Sequence, residues 1–318
     1  MHILIGGGSG FIGSALTVRL RTRGDKVTWI SRTAGPGRIT WQDVERGDIP
    51  PCDVVINLAG QHILDLRRRW NDAFIHEVLH SRVDTTLSLV RALNAMEHPP
   101  AAFISAAGKC AYGTGEVASH ARYPELDESS EPMGIDFPAE LVALWEKAAS
   151  GIDSARIRHV AVRIGVVLGA VDRTSTLGKL WRVGRAHGFL PLIRLPFCLG
   201  LGAVMGHGRQ PVPWIHIDDT VGVFMHLIDS EETRGRYNAV APGVVSNREF
   251  TAVLAKRLRR PIVWSAPAWL VRAVVGQDRA SILLEGQNVK PKRTVEAGYS
   301  FRYPALDGAM ADLVRITF

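Results

Sequence analysis

A run of glycines, Gly6-Gly7-Gly8-Ser9-Gly10-Phe11-Ile12-Gly13, begins at residue 6 and sits between two regular patterns. Before it, His2–Ile5 is a compact apolar run suited to a buried strand. After it, Phe11–Arg23 places Phe11, Ile12, Ala15, Leu16 and Leu20 at helical spacing and ends at Gly24, a C-cap residue. Gly7, Gly10 and Gly13 form a GxxGxxG pattern. A strand that turns directly into a helix needs glycine there for a sharp turn, for close approach of backbone to a diphosphate, and for tight helix–sheet packing. The first N–H groups of the helix and its dipole then face the phosphates. The pattern predicts a dinucleotide site lined by Gly7, Ser9, Gly10, Phe11, Ile12 and Gly13; a plain glycine-rich turn is the structural alternative.

The chain continues the same alternation. Lys26–Ile30, Asp53–Leu58, Ala101–Ser105 and Arg158–Ile164 are short runs rich in Val, Ile, Leu or Phe, as for strands covered on both faces. Helical patterns run from about Asn71 to Ala95 and from about Ala139 to Ala149. Strands alternating with helices predict an α/β fold, a Rossmann doubly wound parallel sheet. After Gly169 the texture changes: Arg194–Gly202 and Gly206–Trp214 are rich in Gly, Pro, Trp and Arg, and such loops carry function or domain contacts. Ile215–Leu227 reads as a return to the first domain. Pro242 to Phe318 reads as mostly helical, with breaks at Pro261, Pro267, Pro291 and Pro304. At 318 residues the chain is long for one core. We expect a Rossmann domain over 1–168 with a return segment near 215–240, and a small, mostly helical domain from 169–214 and 241–318.

Charge and cysteine content narrow the partners. The formal charge is +7, yet the cations are scattered, with Arg67-Arg68-Arg69 and Arg257 to Arg260 the dense groups. No aromatic residues interleave them as in a stacking platform, so no nucleic-acid partner is expected, and the charge suits solvated helix faces and an anionic ligand. Cys52, Cys110 and Cys198 have no paired spacing, which argues against a disulfide framework or a zinc site and for a reducing, cytoplasmic setting. No apolar run reaches the ~18 residues of a membrane span. No membrane partner is expected, and the chain enters its first strand with no basic, apolar leader. A small-molecule substrate and a monomer or homodimer complete the expectation.

The end of the second strand selects the dinucleotide. An acidic residue there would bind the adenosine ribose hydroxyls of NAD. This chain has Ser31 and Arg32, followed by Arg38. A hydroxyl beside a guanidinium suits a 2′-phosphate, so the expected cofactor is NADP(H); an ordinary surface arginine is the alternative. At the end of the next strand, Asn57-Leu58-Ala59-Gly60 offers small residues against which a cofactor can lie. Ser81-Arg82 faces the same edge if its helix packs normally, and Arg82 either contacts the cofactor or caps a carboxylate.

These segments together, GGGSGFIG, ISR, GPGRITW (Gly35–Trp41), INLAG (Ile56–Gly60), RRW (Arg68–Trp70) and SRVDTT (Ser81–Thr86), are similar to the epimerase-family branch of extended, atypical short-chain dehydrogenases/reductases. That branch includes short-chain dehydrogenase family 39U and bacterial cell-division-inhibitor-like epimerase/dehydratase proteins. Trp214–Asp219 and the run Leu283-Leu284-Glu285-Gly286-Gln287 with Pro291 and Arg293 extend the likeness to nearly the whole chain. The resemblance implies NADP(H) binding through Ser31, Arg32, Leu58, Ala59, Glu77 and Arg82, with Val167 at a strand end.

Working short-chain dehydrogenases use a Tyr-x-x-x-Lys pair on the third helix, one turn apart, in which Lys lowers the phenol pKa for proton exchange with substrate, and loss of the pair is typical of the branch that this chain resembles. That frame falls on Pro138 and Val142, and no Tyr lies in this helix. The partner hydroxyl position holds Ala107, with Ser105 two residues deeper. Weak surrogates are Lys109 and Tyr112 just past the strand, where such residues are more often loop residues with solvated ends. His207, Gln210, Trp214 and His216 cluster in sequence, and His216 reads as a packed structural histidine. Two function classes remain: an NADP(H)-dependent oxidoreductase or epimerase acting on a small molecule, and a catalytically silent NADP(H)-binding sensor.

Overall fold

The computed structural model describes residues 1–65, 68–113, 123–131, 136–169 and 190–314. Arg67 of the basic triplet lies outside them. The chain begins β1 (His2–Gly6), α1 (Phe11–Arg23), β2 (Lys26–Ser31), β3 (Arg38–Thr40), α2 (Trp41–Arg46), β4 (Val54–Asn57). It goes on through α3 (Asp72–His80), α4 (Val83–Ala95), β5 (Ala102–Gly108), a 3-10 turn (Lys109–Tyr112), β6 (Glu125–Leu126), α5 (Phe137–Ala149), β7 (Arg158–Ile164) and β8 (Val166–Leu168). Next come α6 (Leu190–Cys198), β9 (Ala203–Met205), β10 (Pro211–Val212), β11 (Trp214–His216), α7 (Ile217–Asp229), β12 (Gly235–Ala239) and β13 (Val245–Ser246). The last elements are α8 (Asn247–Leu258), β14 (Trp264–Ala266), α9 (Ala268–Val275), α10 (Gln277–Leu284), β15 (Asn288–Val289), α11 (Lys292–Glu296) and α12 (Leu306–Leu313).

Seven strands form one sheet in the order β12-β7-β5-β4-β1-β2-β3. β1 pairs in parallel with β2 on one side and β4 on the other; β4–β5 and β2–β3 are parallel as well. The chain thus winds outward from β1 in both directions, and the order reverses between β1 and β4. Ligands of open α/β sheets bind at such a reversal, beyond the carboxyl ends of the strands. Ile3, Leu4 and Ile5 of β1 and Val55 and Ile56 of β4 are fully buried, which explains why both strands read as continuous apolar runs.

Local signals set the element ends. Gly24 closes α1 in the left-handed region at φ 98°, its N–H bonding Arg21 O while that of Asp25 bonds Leu20 O. Thr40 and Asp43 cap α2 reciprocally, and Asn71 caps α3 through Phe74 N. β3 and α2 escape a periodicity reading because they span only three and six residues. The helix expected from Asn71 to Ala95 is two helices. Ser81 Oγ donates to Val78 O and accepts the Gln61 N–H, and Arg82, at φ −115° and ψ −56°, departs from the ideal helical φ. A hydrogen bond to a distant loop breaks the helix there, which apolar spacing does not register.

The chain divides into two compact units. The first comprises 1–111, 139–163 and 221–237; the second comprises 112–138, 164–220 and 238–318. In the first, Leu4, Ile30, Val55, Leu89, Leu93 and Phe103 share a core between sheet and helices. In the second, Leu168, Phe197, Trp214, Phe250, Leu254 and Met310 form another. The second unit takes in more chain than the sequence reading assigned to it, adding 112–138, 164–168, 215–220 and 238–240. One reason is that β11 pairs with β8 rather than joining the large sheet. Its C-terminal part is helical, with Pro267 and Pro291 at the N-caps of α9 and α11.

Candidate functional site

The β1–α1 turn separates glycines that the protein requires from one that it does not. Gly7 has φ +75°, and a Cβ there would meet the Leu58 carbonyl at 2.7 Å. A Cβ on Gly8 would enter the Trp29 indole, and one on Gly13 would strike the Gly7 carbonyl. Gly10 is different. Its φ is −76°, it is exposed, and an added Cβ would find only the Gly7 carbonyl, at 3.2 Å. Gly10 is also the N-cap of α1, with no side-chain cap and no acidic residue in the first turn. The helix therefore opens with N–H donors and a positive dipole end uncompensated by its own side chains, beside an exposed Ser9 and half-buried Phe11 and Ile12.

The β4 end lies beside this turn, and Leu58 N donates to Gly6 O at 2.9 Å. Its shape is held from below. The buried Asn57 carboxamide accepts the Ala59 N–H at 3.1 Å and donates to Thr86 Oγ1 at 2.9 Å; Trp145 Nε1 donates to the same hydroxyl at 3.1 Å. One network thus links β4, α4 and α5 and fixes Leu58-Ala59-Gly60. Arg82 lies against Gly60. Its guanidinium lies 5.3 Å from the Trp145 ring, and a Cβ on Gly60 would meet it at 2.9 Å. Burial lowers the Arg82 pKa to about 10, and no carboxylate opposes that effect. Among the described residues no carboxylate pairs with Arg82, whose Nη1 donates to Val78 O at 3.3 Å. Trp145 was not legible as a site residue, since it belongs to no glycine or charge motif, and the Asn57–Gly60 run gave no sign that the Asn57 side chain bonds Thr86.

At the β2 end, Ser31 Oγ donates to Thr33 O at 2.5 Å and accepts the Thr33 N–H, forming a tight turn that leaves Arg32 exposed. Trp29 Nε1 donates to Thr17 Oγ1, and the Arg38 guanidinium stacks on the Trp29 ring at 5.0 Å. Two arginines and a serine therefore gather at one strand end. Glu77 is engaged by Arg68 at 2.7 Å, and Arg68 in turn covers Phe74. Val167 lies in the second unit, on β8, opposite Ile215.

The would-be catalytic positions are apolar. Val142 packs with Ala107 and Ala111, and Gly108 abuts it. Pro138 stands in the first turn of α5, where a missing N–H is harmless. Glu146 forms a bidentate pair with the fully buried Arg163, at 2.6 and 2.9 Å. Ser105 is buried and bonds His159 Nε2 at 2.9 Å. Lys109 and Tyr112 are not solvated loop residues: both are buried, in a 3-10 turn. Tyr112 donates to Asn238 Oδ1 at 2.9 Å, and Asn238 in turn donates to Lys290 O. His216 is buried, stacks on Tyr303 at 3.9 Å and accepts the Asp218 N–H, with Nε2 3.4 Å from Asp312. Gln210 and Trp214 are also buried and donate to backbone carbonyls, which are packing roles, while His207 Nδ1 accepts the Arg209 N–H. Among the described residues no group of His, Cys, Asp and Glu could hold a metal ion.

Comparison with known proteins agrees with this geometry. Residues 3–240 match the NAD dependent epimerase/dehydratase family, and residues 266–313 match a domain of unknown function, DUF1731. The chain is 43% identical to mouse epimerase family protein SDR39U1, over 99% of this chain and all of the relative. It is similar to the crystal structure of human SDR39U1 (isoform 2) with NADPH, at 40% identity, TM-score 0.87 and 99% coverage of both chains. A nucleoside-diphosphate sugar epimerase from Corynebacterium glutamicum matches at 28% identity and TM-score 0.72, over 99% of this chain and 58% of that one.

Proposed function

The chain belongs to the NAD dependent epimerase/dehydratase family, and from that premise we propose that it binds NADP(H) at the β1–α1 turn and acts as an oxidoreductase or epimerase on a small molecule. The observation that carries the binding is Gly10, an exposed, uncapped helix N-cap whose missing side chain nothing in the protein demands. A diphosphate would occupy that space at the N-terminus of α1, facing the positive end of the helix dipole. Leu58, Ala59 and Gly60 provide the floor, and Arg82 supplies a cation with no acid of its own. Ser31 and Arg32, with Arg38 held on Trp29, form the 2′-phosphate arm. The human relative crystallised with NADPH supports the same choice. Glu77, on α3, is paired to Arg68.

Bound NADP(H) supplies hydride transfer at its nicotinamide ring. The protein must supply the proton, and α5 carries none at Pro138 or Val142. We assign proton handling to Lys109, directly at the carboxyl end of β5, because the Tyr112 hydroxyl is already donated to Asn238. The apolar seal of Val142 against Ala107 favours a second reading, a silent NADP(H)-binding sensor. Screening carbonyl and nucleotide-sugar substrates with NADPH separates the two. Turnover that Lys109→Met removes and Tyr112→Phe leaves supports the enzyme; NADPH binding without turnover on any of these substrates supports the sensor. We place the protein in a reducing, cytoplasmic setting, supported by three free thiols, of which Cys52 is pushed up to about 12 by burial.

A further inference from the structure

The second unit has a surface that its core does not explain. From Lys256 to Gly276 the sequence has five cations, Lys256, Arg257, Arg259, Arg260 and Arg272, and no acidic residue. Arg259 to Ser265 are seven consecutive exposed residues, running from two arginines through Pro261, Ile262 and Val263 to Trp264. This loop is continuous with a second apolar one. Val263 N donates to Gly202 O at 3.0 Å, and Trp264 pairs with Ala203. The neighbouring Leu199 and Leu201 are 66% and 58% exposed. Just beyond, α9 is apolar almost all round yet buries only Val271, leaving Trp269 68% and Val274 72% exposed. Residues 190 to 206 likewise contain no acid.

We propose that this face docks on the surface of an anionic lipid bilayer. Exposed Trp and Leu rimmed by Arg and Lys is the composition of a segment that lies in a membrane interface, apolar side chains entering the headgroup boundary while the cations meet lipid charge. Charge decides between the occupants. A second copy placed symmetrically would set a rim of like charges against its own image. A nucleic acid would answer the cations and stack on Trp264 and Trp269 but leave Leu199, Leu201, Val263 and Val274 with nothing to contact. Only the lipid surface answers both features. No helix among the described residues is long and apolar enough to cross a membrane, and surface docking needs none; the proposal departs from the expectation of no membrane partner drawn from the sequence.

The full chain should co-sediment with phosphatidylcholine vesicles containing about 30 mol% phosphatidylserine and not with phosphatidylcholine alone, and salt should release it. Arg260→Glu combined with Arg272→Glu should abolish sedimentation. Trp269→Ser should weaken it about tenfold. Retained NADPH affinity and unchanged circular dichroism show that the variants fold. The proposal is overturned if the wild type fails to sediment with the anionic vesicles, or binds both vesicle types equally. It is overturned too if folded variants sediment as the wild type does. A concentration-dependent dimer lost in Trp269→Ser without vesicle binding would assign the face to a second copy, and oligonucleotide binding without vesicle binding would assign it to nucleic acid.

Discussion

Gly10 and Gly13 lie one turn apart and are glycines for different reasons, which makes them separable by substitution. Gly10→Val should leave a folded protein with a melting temperature near wild type and no measurable NADPH binding, since the new Cβ meets only the Gly7 carbonyl, at 3.2 Å, and the side chain enters the space that the diphosphate needs. Gly13→Val should instead destabilise the fold by roughly 1–3 kcal/mol, because its side chain meets the Gly7 backbone. Urea unfolding and NADPH titration of both variants check the pair; equal stability with equal loss of binding would refute the distinction. Arg32 is the second residue-scale case. It is exposed, so Arg32→Ala should not alter stability. NADPH binding should weaken by about 1.5–3 kcal/mol, the range for hydrogen bonds to charged groups, with NADH binding unchanged. Calorimetric titration with both cofactors reads this directly, and an unchanged NADPH affinity would remove Arg32 from the site. Arg82 is the opposite case: burial lowers its pKa, and an anion beside it would raise that pKa again.

Among the elements, the loop after β4 owes its shape to α4 and α5, not to its own sequence. Asn57, Thr86 and Trp145 come from three elements and meet at one hydroxyl. Thr86→Val keeps the shape but leaves Asn57 Nδ2 and Trp145 Nε1 buried without their acceptor. The cost should be about 1–3 kcal/mol for each unsatisfied donor, reduced where the side chains relax. NADPH affinity should fall as well, because Ala59 loses its fixed position; loss of stability with cofactor affinity intact would show that the network serves the core alone. The break between α3 and α4 follows the same rule, a loop hydrogen bond at Ser81 overriding helical spacing. By contrast, α1 and β7 have the bounds expected of them, since each is long, periodic and ended by its own residues.

Across the whole molecule, the buried pair of Ser105 on β5 and His159 on β7 ties stability to pH. Burial lowers the His159 pKa from 6.5 to about 4, the nearby Glu146 charge opposing only in part. The unfolded chain then binds a proton that the native state refuses between those values, so the stabilising contribution is complete above pH 6.5 and is lost as pH falls towards 4. The loss amounts to about 3 kcal/mol at most. Thermal unfolding from pH 7 to pH 4 should show this decline, and His159→Phe, which keeps the stack on Phe103, should flatten it. An unchanged slope would place the acid sensitivity elsewhere. The parallel winding, the nucleotide turn at residues 6–13 and the absence of a Tyr-x-x-x-Lys pair were all readable in the sequence, because each rests on local chemistry: apolar runs, glycines where no side chain fits, and residues present or missing at a helical spacing. What the tertiary structure decided was everything that needs partners far apart in the chain. It broke the second helix, buried Tyr112 against Asn238, left Arg82 with Trp145 and no acid, and turned α9 with its tryptophan to solvent, since burial and pairing belong to neighbours that the order of residues does not name.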